Sequence, residues 1–333
     1  MSDNKEPQRD YALDVLRAVA AIYIIGFWHH VTYIDMDLLK TPLTRSLAVI
    51  ALGAFFTVSA YLLTQQQMEN IERTLTSKDY KNVIKAYYSK RVFRIYPLYA
   101  LAVLLFYAFE VGRWTVPHLL TSLTLTAALI DKSPLTLWFI NVIFLYYLAL
   151  PFLWFVARSN VKIIAVGVIS GGVLYLLHRF TPLVDNRIYI YLPSMIFGVL
   201  LGKNCDLRSV LTKKLYVVSS ATLLLVSLFS IYMGGLDLDC VIALIPIISF
   251  PALIAVSEKV SNIRGTHRFW VLIGYASFSA FLFHRVVYEI VYNLSGNVVF
   301  APLVILVVPM IFIASYFVQA IYDKKIKSLS SKS

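Results

Sequence analysis

Apolar runs recur along the whole chain, at roughly 13–34, 44–64, 95–112, 118–130, 136–157, 161–177, 188–202, 215–234, 240–256, 270–292 and 298–322. Most approach or reach the ~17–25 residues that an α-helix needs to cross the hydrocarbon core of a bilayer. The 118–130 run is shorter and carries Thr and Ser. Such stretches dip into a membrane or lie at its interface rather than cross it. Basic residues decide the topology, because Lys and Arg concentrate in cytoplasmic loops. With both termini inside and 118–130 not crossing, the inner segments 1–10, 65–94, 158–162, 203–214, 257–268 and 323–333 hold 22 of the 30 basic residues. Seven fall outside, and Arg17 lies within the first run. The pattern predicts an all-α polytopic membrane protein of about ten transmembrane helices plus one short re-entrant or interfacial helix, N-in and C-in. Residues 1–333 form one integral-membrane domain, with 1–10 and 323–333 as cytoplasmic tails.

Composition agrees. The chain is 59% hydrophobic and 14% charged, with a mean hydropathy of +0.74, whereas soluble domains carry about a quarter charged residues. The formal charge of +12 would suit a nucleic-acid partner, but the basic residues sit in short loops between spans, a mark of topology. No nucleic-acid partner is expected. Cys205 and Cys240 have neither metal nor redox spacing, and no Cys/His ligand cluster accompanies them, so no metal is expected. Asp10 and Asp14 flank the start of the first run, and no small-residue cleavage site follows it. It reads as a retained span and not as a removed signal peptide.

That first span, "LDVLRAVAAIYIIGFWHH", carries Arg17 near one end and His29 and His30 near the other. Ionisable groups inside a membrane helix are costly and point to function. Arg17 alone would pass as a snorkelling residue. The adjacent histidines suit proton transfer near neutral pH. "YYSKRVFRIYPLY" places Arg91 and Arg94 three apart, on one face if helical. They read either as inner-surface anchors or as a phosphate clamp, since guanidinium forks bind phosphate oxygens bidentately. Pro97 starts or kinks the span that follows. "GAFFTVSAYLL" sets Ser59 among aromatics, and "LWFINVIFLYYLALP" carries Trp138, Asn141 and Tyr147. "IGYASFSAFLFH" ends in His284, seven residues after Ser277.

Taken in order, these stretches resemble the membrane-bound acyltransferase family 3, whose members include O-acetyltransferases of bacterial O-antigen and other surface glycans. The family's first span is similar to "LDVLRAVAA…H", and its "FF-x-x-S-G" pattern looks like Phe55, Phe56 and Ser59, with Ala60 for the Gly. Its R-x-x-R-x-x-P matches Arg91, Arg94 and Pro97. A Trp, a Tyr nine residues on and a Pro four further match Trp138, Tyr147 and Pro151. A late "S-x-x-x-Y-L-x-H" resembles Ser277, Leu282 and His284, with Phe281 in place of Tyr. Two departures stand out. Many members carry a Glu where Ile143 stands here, and eleven residues rather than ten separate Arg17 from His29. A one-residue π-bulge near Gly26 would restore the helical phase, with His30 as the alternative to His29.

The resemblance implies transfer of an acyl group, most often acetyl, from acyl-CoA to a sugar hydroxyl, in the bacterial inner membrane. Arg17, Arg91 and Arg94 would hold acetyl-CoA. His29 would act as base or acyl carrier, Ser59 and Asn141 would stabilise the oxyanion or orient the His, and Trp138, Tyr147 and His284 would meet the substrate. The partners implied are acyl-CoA, a lipid-linked or surface glycan such as lipopolysaccharide O-antigen, and membrane lipid. A fused hydrolase-like domain of some relatives is not expected, with 11 residues after the last span. From the residues alone, buried Arg and His also suit a proton-coupled transporter or flippase, although no similar halves of the transporter kind occur.

Overall fold

The computed structural model of the protein describes residues 9–33, 39–74, 80–112, 114–130, 134–156, 159–181, 183–232 and 239–330. Its described elements are helical. Helix α1 (Tyr11–Ile22) starts where Asp10 accepts hydrogen bonds from the Ala12 and Leu13 amides, and it runs on as a π-helix over Tyr23–His29. Then come α2 (Pro42–Thr74), α3 (Tyr80–Ala108), α4 (Val116–Leu123), α5 (Trp138–Val156) and α6 (Asn160–Phe180). The chain ends in α7 (Asn186–Lys203), α8 (Cys205–Leu211), α9 (Lys214–Tyr232), α10 (Asp239–Ser261) and α11 (His267–Ser330). Much of the basic 65–94 stretch, expected as a loop, lies on extensions of α2 and α3. Pro97 lies inside α3 rather than at its start.

Nine helical stretches among the described residues are long and apolar enough to cross a membrane. Helix α11 supplies two of them, His267–Ser295 and Ile305–Ile326. Ser279 Oγ donates to Gln319 Oε1 at 2.6 Å, and Tyr275 OH donates to Asp323 Oδ2 at 2.7 Å. Forty residues of straight helix would set such partners about 60 Å apart, so α11 folds back into an antiparallel pair. Helix α7 adds a tenth crossing, 18 residues long and mostly buried.

Parallel contacts show which segment fails to cross. Along α2 and α7 the touching pairs climb together: Thr57 donates to the Ser194 carbonyl, Ala60 meets Gly198, and Thr64 meets Gly202. Helix α1 and the first half of α11 climb together too, from Asp14 beside Gly274 to Ile25, whose carbonyl accepts from Tyr288 OH at 2.7 Å. Both pairs can be parallel only if α4 does not count as a crossing. At eight residues α4 is too short to span. It is tied into protein, as irregular backbone at membrane depth must be: the Ser122 carbonyl accepts from Tyr99 OH at 2.8 Å, and the Ala128 and Leu129 carbonyls that follow α4 accept from the Asp185 and Val184 amides. Asp10, at the start of α1, and Asp323, near the end of α11, consequently share one end of the bundle.

Helices α6 and α9 form the rim, with 6% of their spanning residues buried, against 72% for α2. The α2–α7 contact is close along two successive turns. A Cβ at Gly198 would stand 2.4 Å from the Thr57 carbonyl oxygen and 2.8 Å from Ala60 Cβ, and one at Gly202 would stand 2.7 Å from the Tyr61 carbonyl oxygen. This is a small-xxx-small contact, which lets two membrane helices approach backbone to backbone. Gly198→Leu should lower the thermal midpoint of the detergent-purified protein, overpacking costing about 1–3 kcal/mol. Gly172→Ala on α6, where an added Cβ meets nothing within 4 Å, should leave the midpoint unchanged or raise it.

Candidate functional site

The π-helix of α1 takes in one more residue per turn than an α-helix, and it ends on His29. That insertion turns the His29 ring onto α11, where its Nδ1 lies 2.7 Å from His284 Nε2. Both rings are buried, His29 at 8% exposure and His284 at 0%. Two clamps hold the turn: Tyr23 OH donates to the Thr44 carbonyl at 2.8 Å, and Tyr288 OH reaches the Ile25 carbonyl. The excess residue between Arg17 and His29 is therefore absorbed where the sequence places it, around Gly26.

The hydrogen bonds assign the tautomers. His284 Nδ1 lies 3.1 Å from the Ala280 carbonyl and 2.9 Å from the Phe281 carbonyl. Carbonyls only accept, so Nδ1 carries the proton, and in a neutral imidazole Nε2 then carries the lone pair. His29 Nδ1–H donates to that lone pair, which leaves the lone pair of His29 on Nε2. This nitrogen has no hydrogen-bond partner among the described residues. The arrangement is that of a base oriented by a second group. His30 points elsewhere, its ring edge-on to Tyr288 with centroids 6.3 Å apart.

A cavity of about 310 Å³ leads towards the pair from the end of the bundle that carries Asp10 and Asp323. At its mouth stand Arg17, Arg91, Arg94 and Gln66. The turn bearing Arg91 and Arg94 is docked there by Tyr322, whose hydroxyl donates to the Phe93 carbonyl. None of these three arginines is in an ion pair among the described residues, and the buried Arg91 Nε has no hydrogen-bond partner. Arg9 instead pairs with Asp14, Arg187 with Asp185, and Arg208 with Asp10 and Glu258. The cavity opening thus gathers three guanidinium forks, of a geometry suited to phosphate, with no acid paired to them among the described residues.

Ser59 and Tyr147 line the wall and share a short hydrogen bond. Ser277 lines it too, its hydroxyl donating to the Gly274 carbonyl at 2.7 Å. Phe139 and Phe281 close the inner end, their rings 4.9 Å apart. Phe281 also stands 6.3 Å from the His29 ring and 5.9 Å from the His284 ring. It separates the cavity from the imidazoles. Sequence reasoning passed over it as a variant of a Tyr, and its place needs the packing of α5 on α11.

The remaining sequence candidates divide. Arg17, Arg91, Arg94, Ser59 and Tyr147 come together on the cavity, and His29 joins His284 beyond it. Asn141 is fully buried outside the cavity wall; its Oδ1 lies 3.3 Å from Tyr99 OH and its Nδ2 donates to the Leu137 carbonyl. It ties α5 to α3 through Tyr99. Trp138 lies at the opposite end of α5 from the arginine mouth, stacked on Tyr191 with centroids 5.6 Å apart and with the Arg187 guanidinium 4.5 Å from its ring. Among the described residues no three His, Cys, Asp or Glu side chains gather as a metal site.

No curated protein and no solved structure matches the chain. A family model described as an acyltransferase domain matches residues 10–320, taking in α1, the arginine turn of α3 and both halves of the α11 hairpin. With nearly its whole length covered, the chain belongs to the membrane acyltransferase family 3.

Proposed function

We propose that this acyltransferase takes an acyl group, most often acetyl, from acyl-CoA on the cytoplasmic side and delivers it to a hydroxyl of a cell-surface glycan such as lipopolysaccharide O-antigen. The observation that carries the reading is the cavity with three unpaired arginines at its mouth and the His29–His284 pair behind its far wall. The arginine mouth lies at the end carrying Asp10 and Asp323; the basic-residue count supports the cytoplasm for that side, and the family resemblance supports the bacterial inner membrane. Arg17, Arg91 and Arg94 hold the phosphates of coenzyme A there. Acetyl-CoA supplies the activated thioester, and the chain supplies position and a base.

His29 Nε2 accepts the proton of the acceptor hydroxyl as its oxygen attacks the thioester carbon. The C–S bond breaks, and the departing thiolate takes the proton back from Nε2. An acyl-imidazole on the same nitrogen, formed first and then attacked by the hydroxyl, uses the same lone pair. In both routes His284 fixes the tautomer, and Ser59 and Tyr147 position the arm of the donor.

The following outcomes are expected in membranes or nanodiscs with labelled acyl-CoA. His29→Ala should lose about 10²–10⁴-fold in transfer, the usual contribution of a positioned base, and His30→Ala should lose less than tenfold. His284→Ala should lower kcat with coenzyme A binding unchanged, because it frees the His29 tautomer without touching the arginine mouth. Equal losses in the His29 and His30 variants would sink the assignment. Phe281→Leu, a milder change than Phe281→Ala, should raise the rate with butyryl-CoA relative to acetyl-CoA by about tenfold, since one methylene in an apolar pocket is worth roughly 10–200-fold. An unchanged ratio would remove Phe281 as the limit on acyl length. Binding of coenzyme A by the wild type, and its weakening in Arg91→Ala, tests the donor assignment directly.

A further inference from the structure

Across the His pair from the arginine mouth, α11 carries Arg285 immediately after His284. Its Nε donates to Thr136 Oγ1 at 2.6 Å, its Nη1 donates to Thr32 Oγ1 at 3.4 Å, and its guanidinium carbon lies 5.5 Å from the centre of the Tyr33 ring. Thr32 in turn donates to the His29 carbonyl at 2.5 Å. Arg285 therefore directly follows His284 in the chain and is linked through Thr32 to the His29 backbone, on the side away from the donor cavity. No carboxylate of the described residues is in an ion pair with it. The nearest acid in this network, Glu289, is reached through Tyr33, whose hydroxyl donates to Glu289 Oε2 at 3.2 Å.

A guanidinium has five N–H donors; here one meets the Thr136 hydroxyl, one the Thr32 hydroxyl, and the Tyr33 hydroxyl lies beside the group as well. A plain strut would not need a full charge where hydroxyls are the partners, and a cation with no acid paired to it among the described residues is costly in a membrane helix. Thr136 adds a second mark. It is 3% exposed and holds φ +23°, a strained setting for a β-branched residue, and its hydroxyl meets Arg285 Nε. Strain of this kind persists where the surroundings enforce a functional geometry. The exposed Thr32 marks the open side of the cluster, from which an acceptor hydroxyl would approach His29.

We propose that Arg285 binds an anionic group, a carboxylate or a phosphate, on the acceptor, so that the acceptor is an acidic or phosphate-bearing glycan. The inference rests on the acyltransferase reading above and names the substrate class of its outer side. Each side of the His pair then has its own unpaired cations, Arg17, Arg91 and Arg94 for the donor and Arg285 for the acceptor. The donors of Arg285 left over from these hydroxyls accommodate one bidentate oxyanion.

The test uses the full chain in nanodiscs saturated with coenzyme A, which occupies the inner arginines. Thermal midpoints are read with glucuronate, with a polyprenyl phosphate and with glucose as the neutral control. Wild type should be stabilised by at least one of the two anions and not by glucose. A carboxylate source is indicated by glucuronate and a lipid phosphate by the polyprenyl probe. The shift should be lost in Arg285→Gln, which keeps coenzyme A binding. Should Arg285→Gln fail to fold, Arg285→Lys carries the test: it keeps the charge without the fork and should need a higher anion concentration for half the shift. Equal shifts in wild type and in the Arg285 variant that folds would overturn the proposal, as would no shift in wild type with either anion. Failure to bind coenzyme A at all would instead count against the donor assignment.

Discussion

The hydrogen bond between His29 and His284 joins residues 255 positions apart, and most of the bundle's geometry serves to make it. It needs α1 and the first half of α11 to run in the same direction, which depends on α4 stopping short of a crossing. It needs the π-helix at Tyr23–His29, because a regular helix would turn the His29 ring away from α11. It needs the Ala280 and Phe281 carbonyls to hold the His284 proton on Nδ1. Remove any of these and the lone pair on His29 Nε2 loses its fixed position. In a membrane interior, where water does not compensate a polar group, such a pair must be satisfied by protein.

The distribution of charge follows from the same constraint. Ion pairs close off Arg9, Arg187 and Arg208, which tie chain segments together. Among the arginines in no ion pair with a described residue, three stand at the cavity mouth and one beyond the imidazole pair. A carboxylate beside any of the four would satisfy it and also occupy the position of an incoming anion. Their hydroxyl and aromatic neighbours, Thr32, Thr136, Tyr33 and Tyr87, hold the guanidinium planes without neutralising them.

Local pattern made much of this legible. The short 118–130 run, with Thr and Ser in it, is the segment that does not cross, because length and polarity act locally on membrane insertion. The π-helix was readable from one surplus residue between Arg17 and His29, since helical phase is arithmetic. Arg91 and Arg94 fall on one helix face, as a three-residue spacing demands. What was not legible depends on contacts between distant segments. Asn141 reads as a polar residue on a membrane helix and hence as chemistry, yet Tyr99 lies within hydrogen-bonding distance of its amide. Arg285 reads as one of seven outer basic residues, and its place beside His284, Thr32 and Thr136 distinguishes it only in the fold. The α11 hairpin reads as two spans, and helical backbone carries on through the reversal.

Phe281 makes the two sides chemically separable. On the proposed reading, a base in open contact with both a donor cavity and an aqueous acceptor side would hand the acyl group to water, because water outnumbers any sugar hydroxyl. Phe139 and Phe281 are packed across the end of the cavity, so a thioester held there would meet His29 only when that aromatic wall yields. Desolvation of the site also strengthens the electrostatic hold on the developing oxyanion. The wall is built from the residue that precedes His284 by three, so movement of this turn of α11 changes the barrier and the orienting imidazole together. On the proposed reading, such a coupling of the cavity's opening to the alignment of the base would confine transfer to the moment when both substrates are in place.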